Sequence, residues 1–417
     1  MSRKKITCII LYLSIVLSAS AQNKADMIQV VLDRLSSMLN TADTALIRND
    51  LNPNFSVSIA TWPASASYLN RIAKQNNVES ILLLSIHEEG VDTTFINARF
   101  DLKDGKTVES IIALDSENKL LFVDYFDCFY SRSRYTESEQ LIQIPFEIQD
   151  GSIVLTLRVN ENSRPLKFLF DSGANGIAVS ETMADSLQLF VGHKKTTTVV
   201  GGRQEISISP DNTIHLTDNF SLQKQNIAVF KQGGGLDGII GLNLAFNHIV
   251  NVDFDTQLIT LFTFGKYSFP VEGELLDIRT PAGIIFIPAV LNIVGKKELA
   301  GQFVFDTGAD YHFIAFEQFV RKNRLLLSGF KPEKQSRTVS MGIATPTYEG
   351  KAYTFRIGTD FTMEQMPISL QASRGIDTGE SRIGDGSIGI ALLSKFNFTI
   401  DLLQKKVHLK PNKKYNN

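Results

Sequence analysis

The apolar positions along the chain change rhythm, and the change marks a different kind of structure. After Asp26, residues Ile28, Val31, Leu32, Leu35, Met38 and Leu39 recur at three- and four-residue spacing, which gathers them on one face of an amphipathic helix. A second helix is predicted over 64–73. After Val78 the rhythm becomes that of strands, predicted at 80–87, 93–102, 107–114 and 119–127. Asp104-Gly105 and the stretch from Asp115 to Asn118 supply the hairpin turns. Helices followed by an antiparallel meander make an α+β unit. Residues 129–143 are polar and serine-rich with alternating charge and read as a linker. Beyond them the pattern is strand-dominated to the end, with glycine-rich turns.

Within that β region two stretches look like copies. Phe168-Leu169-Phe170-Asp171-Ser172-Gly173-Ala174 and Phe303-Val304-Phe305-Asp306-Thr307-Gly308-Ala309 each run a strand of large apolar residues into one aspartate and a hydroxyl-glycine turn. A lone carboxylate after so apolar a run is costly to bury. Two in the same setting therefore point at each other. They are offset by 135 residues, while Asp237-Gly238-Ile239-Ile240-Gly241 and Asp385-Gly386-Ser387-Ile388-Gly389 are offset by 148, so the second copy carries a net insertion of 13. The expected organisation is a leader over 1–21, an α+β domain over 22–140, and two β halves over 141–270 and 271–417.

An apolar strand, Asp-Ser/Thr-Gly and a later apolar-apolar-Gly element, twice over in the same order, resemble the aspartic peptidase clan, most closely its retropepsin-like branch. The resemblance covers residues 145–412 and implies a mainly β fold there, a two-lobed double β-barrel; the separate amino-terminal α+β piece is instead similar, in its order of elements, to cone-shaped NTF2-like folds. It implies that Asp171 and Asp306 meet and share one proton, since two carboxyls so close cannot both ionise. The ionised member would activate a water and the protonated member would donate to an amide carbonyl, without any cofactor or metal. Ser172 and Thr307 match hydroxyls that brace the two aspartate loops against each other, and Gly173 and Gly308 match glycines whose N–H groups approach the carboxylates. Gly201, Gly202, Gly342 and Ile343 fall where hairpin flaps would cover a substrate cleft, and Tyr348 is the nearest counterpart of a flap tyrosine. Pepsin-like members often have a hydroxyl residue after Asp-Thr-Gly, where this chain has Ala174 and Ala309. A lost donor raises a carboxyl pKa, so activity is expected to extend toward neutral pH.

The expected function is an exported aspartic endopeptidase acting on peptide or protein substrates. The alternatives are a catalytically silent peptide-binding scaffold on the same fold and a zymogen blocked by its amino-terminal domain. With both halves in one chain, a monomer suffices. A third Asp-Thr-Gly, at Asp377, follows no apolar strand and reads as an ordinary turn. His87-Glu88-Glu89 lacks the second histidine of a zinc helix.

Composition narrows the setting. Arg3, Lys4 and Lys5, an apolar stretch from Ile6 to Leu17 and Ala19-Ser20-Ala21 read as a cleavable export signal, placing the product in the periplasm or outside the cell. The stretch is short for a membrane span and nothing later is longer, so no membrane insertion is expected. Without those three cations the chain has 39 Lys+Arg against 44 Asp+Glu, which leaves no basic footprint for nucleic acid. Cys128 would then stand alone, excluding an internal disulfide, and it reads as a buried or partly buried small hydrophobe.

Overall fold

The protein is mainly β, with 48% of its residues in strands and 17% in helices, and its sheets are curled. The computed structural model describes residues 3–88, 92–199, 202–231, 235–295, 297–340, 343–372 and 384–415. The chain divides into two compact units, Met1–Thr136 and Glu137–Asn417.

The first unit is the α+β piece. Ile28, Val31, Leu32, Leu35, Met38 and Leu39 are all buried in its core, as their spacing requires, and the helix that carries them extends over Arg3–Thr41. Among the described residues no helix is long and apolar enough to cross a membrane. A second helix, Ser65–Lys74, packs with it. The meander runs Val78–Glu88, Thr93–Leu102, Thr107–Asp115 and Leu120–Val123, antiparallel throughout. On the second of these strands Thr94, Ile96, Ala98 and Phe100 alternate into the interior, the period-two signature of a sheet with one covered face. The sheet has six strands, because Leu51–Val57 pairs parallel to Leu120–Val123 and antiparallel to Ala60–Thr61. Pro53 and two asparagines hide that strand from pattern reading. Its register shifts between Leu51 and Ser56, the interval that holds Pro53.

Two expectations for this region change. The strand expected to reach residue 127 stops at Val123, and Asp124–Cys128 is helical. Part of the expected linker is core: Arg134 is buried, its Nε donates to Asp127 Oδ2 at 2.6 Å, and its guanidinium lies 4.0 Å from the Phe122 ring centroid. A buried carboxylate is stable only when so paired, and this pair ties residue 134 to the first unit. Cys128 is exposed. Desolvation and the neighbouring Asp124 and Asp127 push its thiol up to about 11.

In the second unit the two aspartate strands, Leu166–Phe170 and Glu298–Phe305, lie inside sheets of 13 and nine strands. The first sheet contains the succession Lys194–Val199, Gly202–Thr217, Phe220–Phe230, Ile177–Ser180, Gly238–Ile240, Leu166–Phe170, Ser152–Val159. In the second sheet Lys334–Ser340, Ile343–Lys351, Pro367–Gln371, Phe313–Ala315, Gly386–Ile388, Glu298–Phe305 and Phe286–Asn292 stand in the corresponding places. In both, the short glycine-led strand pairs parallel to the aspartate strand, Gly238 with Phe168 and Gly386 with Phe303. The added length of the second half is not in these pairings. In the second half the hairpin from Ile343 to Gln371 is interrupted around Ala352 by the paired strands Thr354–Ile357 and Phe361–Glu364, over the same length as 202–230 in the first half.

The larger sheet also joins the halves. Ile249–Asp253 pairs antiparallel with Phe396–Asp401, centred on Asn251 and Thr399, residues 148 apart, whose side chains are hydrogen-bonded at 2.9 Å. Val250 pairs with Ile400 and Val252 with Phe398, so each partner is met at the mirrored position. Beneath the aspartates the core is aromatic. Phe168, Phe170, Phe303 and Phe305 are fully buried, and Phe305 meets Phe398 edge-on with centroids 5.0 Å apart.

Candidate active site

Each aspartate follows the last residue of its strand, and the backbone there is pinned. The N–H of Asp171 donates to Ile240 and that of Asp306 to Ile388, both at 3.0 Å. The following glycine strand thus holds the loop from below. Gly241 and Gly389 close that contact. A side chain on either would strike the carbonyls of Ala174 and Gly176, or of Ala309 and Tyr311, so only glycine fits.

The two loops are locked to each other through four buried hydrogen bonds. Ser172 N–H donates to Thr307 Oγ1 at 2.9 Å, and Thr307 Oγ1 donates to the Phe170 carbonyl at 2.8 Å. Reciprocally, Thr307 N–H donates to Ser172 Oγ at 3.0 Å, and Ser172 Oγ donates to the Phe305 carbonyl at 2.6 Å. Neither Ser172 nor Thr307 has any solvent exposure. Each hydroxyl therefore satisfies one backbone donor and one backbone acceptor of the opposite half, groups that would be costly to leave unpaired.

This lock brings the carboxyls together. A Cβ built on Gly173 would lie 2.6 Å from Asp306 Oδ1, and one on Gly308 would lie 2.5 and 2.6 Å from the two oxygens of Asp171. Each glycine leaves room for the other half's aspartate. Gly173 N–H also donates to Asp171 Oδ1 at 2.8 Å, and Gly308 N–H to Asp306 Oδ1 at 3.1 Å. The two carboxyls are hydrogen-bonded to one another, an arrangement that requires a shared proton.

Residues 155–244 match an aspartyl protease family model. No curated protein matches the chain. The matched stretch contains Asp171, Ser172 and Gly173 and ends just after Gly241, so the aspartyl protease match takes in the first aspartate loop and the glycine strand beneath it. Asp306, Thr307 and Gly308 lie beyond it and reach the same site through the lock.

Burial is the main electrostatic influence on the pair. It raises both carboxyls above the ordinary range, Asp306 well above, with the nearby Asp171 charge adding to the rise at Asp306. The expectation that Ala174 and Ala309 leave the carboxyls without a hydroxyl donor needs correction at one of them. Ser387 Oγ donates to Asp306 Oδ2 at 3.2 Å. Asp171 has no such partner among the described residues and relies on the backbone N–H groups of Gly173 and Ala174. The raised values therefore come from desolvation, joined at Asp306 by the Asp171 charge, and not from a missing donor.

Ser387 is what residue-by-residue reading overlooked. It stands at the position of Ile239 in the other half, and a hydroxyl replacing an aliphatic residue within a buried strand was the available signal. Among the flap residues, Gly202 and Ile343 open the returning strands of two hairpins, paired with Val199 and Ser340. Gly201 and Gly342 lie outside the described residues, as does Asp377. Tyr348 sits in the second hairpin opposite Gln335, five rungs from the closing pair. Among the described residues no group of His, Cys, Asp and Glu is placed to hold a metal ion.

Proposed function

We propose that the chain is an exported aspartic endopeptidase built from two fused copies of one lobe, with Asp171 and Asp306 as its joint acid and base. The observation that carries this reading is the pair of hydrogen-bonded, desolvated carboxyls held by a reciprocal lock, one of them inside the aspartyl protease match. The mirrored pairing about Asn251 and Thr399 and the common strand order of the two sheets support two copies about a pseudo-two-fold axis, in the manner of a double barrel.

The chemistry follows from one proton on two acids. The ionised carboxyl draws a proton from a water lying between the pair, and the resulting hydroxide adds to the amide carbonyl carbon. The protonated carboxyl gives its proton to the carbonyl oxygen. Proton return to the amide nitrogen then allows the carbon–nitrogen bond to break. Because the pair titrates as a unit, the roles belong to both residues. The substrate is an extended peptide, held by main-chain hydrogen bonds along the cleft and under the hairpins that end at Val199/Gly202 and Ser340/Ile343. Residues 1–21 act as the export signal.

The test is cleavage of an unfolded protein between about pH 3.5 and about pH 7.5, a range set around the ordinary carboxyl value and above it. Asp171→Asn and Asp306→Asn should each remove activity by orders of magnitude while the fold persists. Retained cleavage in either variant would overturn the reading.

A further inference from the structure

We propose that Tyr311 and Ser387 are positioning residues for Asp306, a two-hydroxyl relay that serves only one of the two carboxyls and lowers the pH at which that carboxyl loses its proton. This rests on the reading of Asp171 and Asp306 as an acid–base pair.

Ser387 is 1% exposed, in the short strand Gly386–Ile388 between the aspartate strand and Phe313–Ala315. Its hydroxyl has a single proton, and that proton is directed at Asp306 Oδ2. The Tyr311 phenol interacts with Ser387, and with the serine proton engaged at Asp306 it is the phenol that can donate to Ser387 Oγ. The order is fixed: Tyr311 O–H to Ser387 Oγ, then Ser387 O–H to Asp306. The Tyr311 ring packs on a small cluster of Phe286, Val304, Ile314 and Phe316, so apolar contacts hold the phenol in place. The groups acting electrostatically on it are Asp306, Asp171 and Asp310, all acidic. Together with burial they keep the phenol protonated and able to donate.

The other half has no equivalent. Ile239 occupies the position of Ser387, an aliphatic side chain with no hydroxyl to offer. The relay thus supplies, from a neighbouring strand and on one side only, the hydroxyl that Ala309 lacks. A donor to a carboxylate stabilises its charged form. The pair keeps its acid only while Asp306 holds the proton, so the relay brings down the upper pH limit of its working range.

The test compares the full chain with Ser387→Ala, Ser387→Thr and Tyr311→Phe by two readouts. One is the alkaline limb of the pH–rate profile on an unfolded protein. The other is infrared difference titration of the buried carboxyl band, identified by its loss in Asp306→Asn, which requires no turnover. Ser387→Ala should raise the Asp306 midpoint by about one pH unit, the scale of one hydrogen bond to a charged group. Tyr311→Phe should raise it less, and Ser387→Thr should restore the parent value. An unmoved infrared midpoint in folded Ser387→Ala, or a threonine variant that shifts as far as alanine, overturns the relay. If the parent cuts protein while the midpoint stays fixed, the relay alone falls. If the parent cuts nothing while the midpoint moves as expected, the relay stands and the peptidase reading falls.

Discussion

Replacing Thr307 by valine removes one hydroxyl and leaves the side-chain shape almost unchanged. In the native site that oxygen accepts from Ser172 N–H at 2.9 Å and donates to the Phe170 carbonyl at 2.8 Å, and Thr307 has no solvent exposure. Water has no place from which to replace it. Each backbone group left unpaired costs about 1–3 kcal/mol, so the two together should destabilise the second unit by roughly 2–6 kcal/mol. That is a large share of the ~5–15 kcal/mol typical of folded proteins. The probe must be chosen with care, because Trp62 is the sole tryptophan and belongs to the first unit. Amide hydrogen exchange in peptides spanning 166–174 and 299–309 reports on the lock itself, and urea unfolding followed by circular dichroism gives the larger change. Thr307→Val should accelerate exchange in both segments, since the bonds cross between halves. Thr307→Ser keeps the hydroxyl and loses only a methyl, worth about 0.8 kcal/mol. If valine costs less than about 0.5 kcal/mol, the scale of an ordinary surface change, or if serine costs as much as valine, the lock does not hold the halves as described.

Gly308→Ala would place a methyl group against the Asp171 carboxyl, so cleavage should be lost with about 1–3 kcal/mol of destabilisation from overpacking, measurable by activity and urea midpoint together. Asp306→Asn should stabilise the second unit near neutral pH. The raised carboxyl contributes stability that is present below its unfolded value and lost as pH rises through its folded value. The gap between variant and parent midpoints should therefore shrink toward about pH 3.5, below the unperturbed carboxyl range, and a gap independent of pH would contradict the assignment. In the first unit, Arg134→Ala leaves Asp127 buried without its cation and should cost about 3–5 kcal/mol. Here the fluorescence of Trp62, which packs against that unit's core, is the right probe.

Much of this protein was legible in the order of its residues. The helix face from Ile28 to Leu39 and the strand over Thr93–Leu102 follow from local periodicity, because a side chain's direction along a helix or strand is set by the backbone repeat. The duplicated apolar strand, Asp-Ser/Thr-Gly and glycine element were visible as a pattern, and a glycine beside each aspartate already implied a close approach. Pattern could not say what each glycine makes room for. That Gly173 faces Asp306 and Gly308 faces Asp171, and that each hydroxyl serves the other half's backbone, depends on contacts between residues 135 apart, and such contacts leave no local period. The strand at Leu51–Val57 was hidden for a related reason. Its place between two neighbours is a tertiary pairing that overrides the discouragement of Pro53. Ser387 shows the limit most clearly. As a residue type it is an ordinary serine, and only the packing of its strand beneath one aspartate loop, with Tyr311 on its other side, turns its hydroxyl toward a carboxylate. The sequence by itself determined which residues could carry acid–base chemistry. The tertiary structure decided how near they stand, how dry they are and which of the two has a hydroxyl partner, because desolvation and hydrogen-bond geometry are set by neighbours distant along the chain.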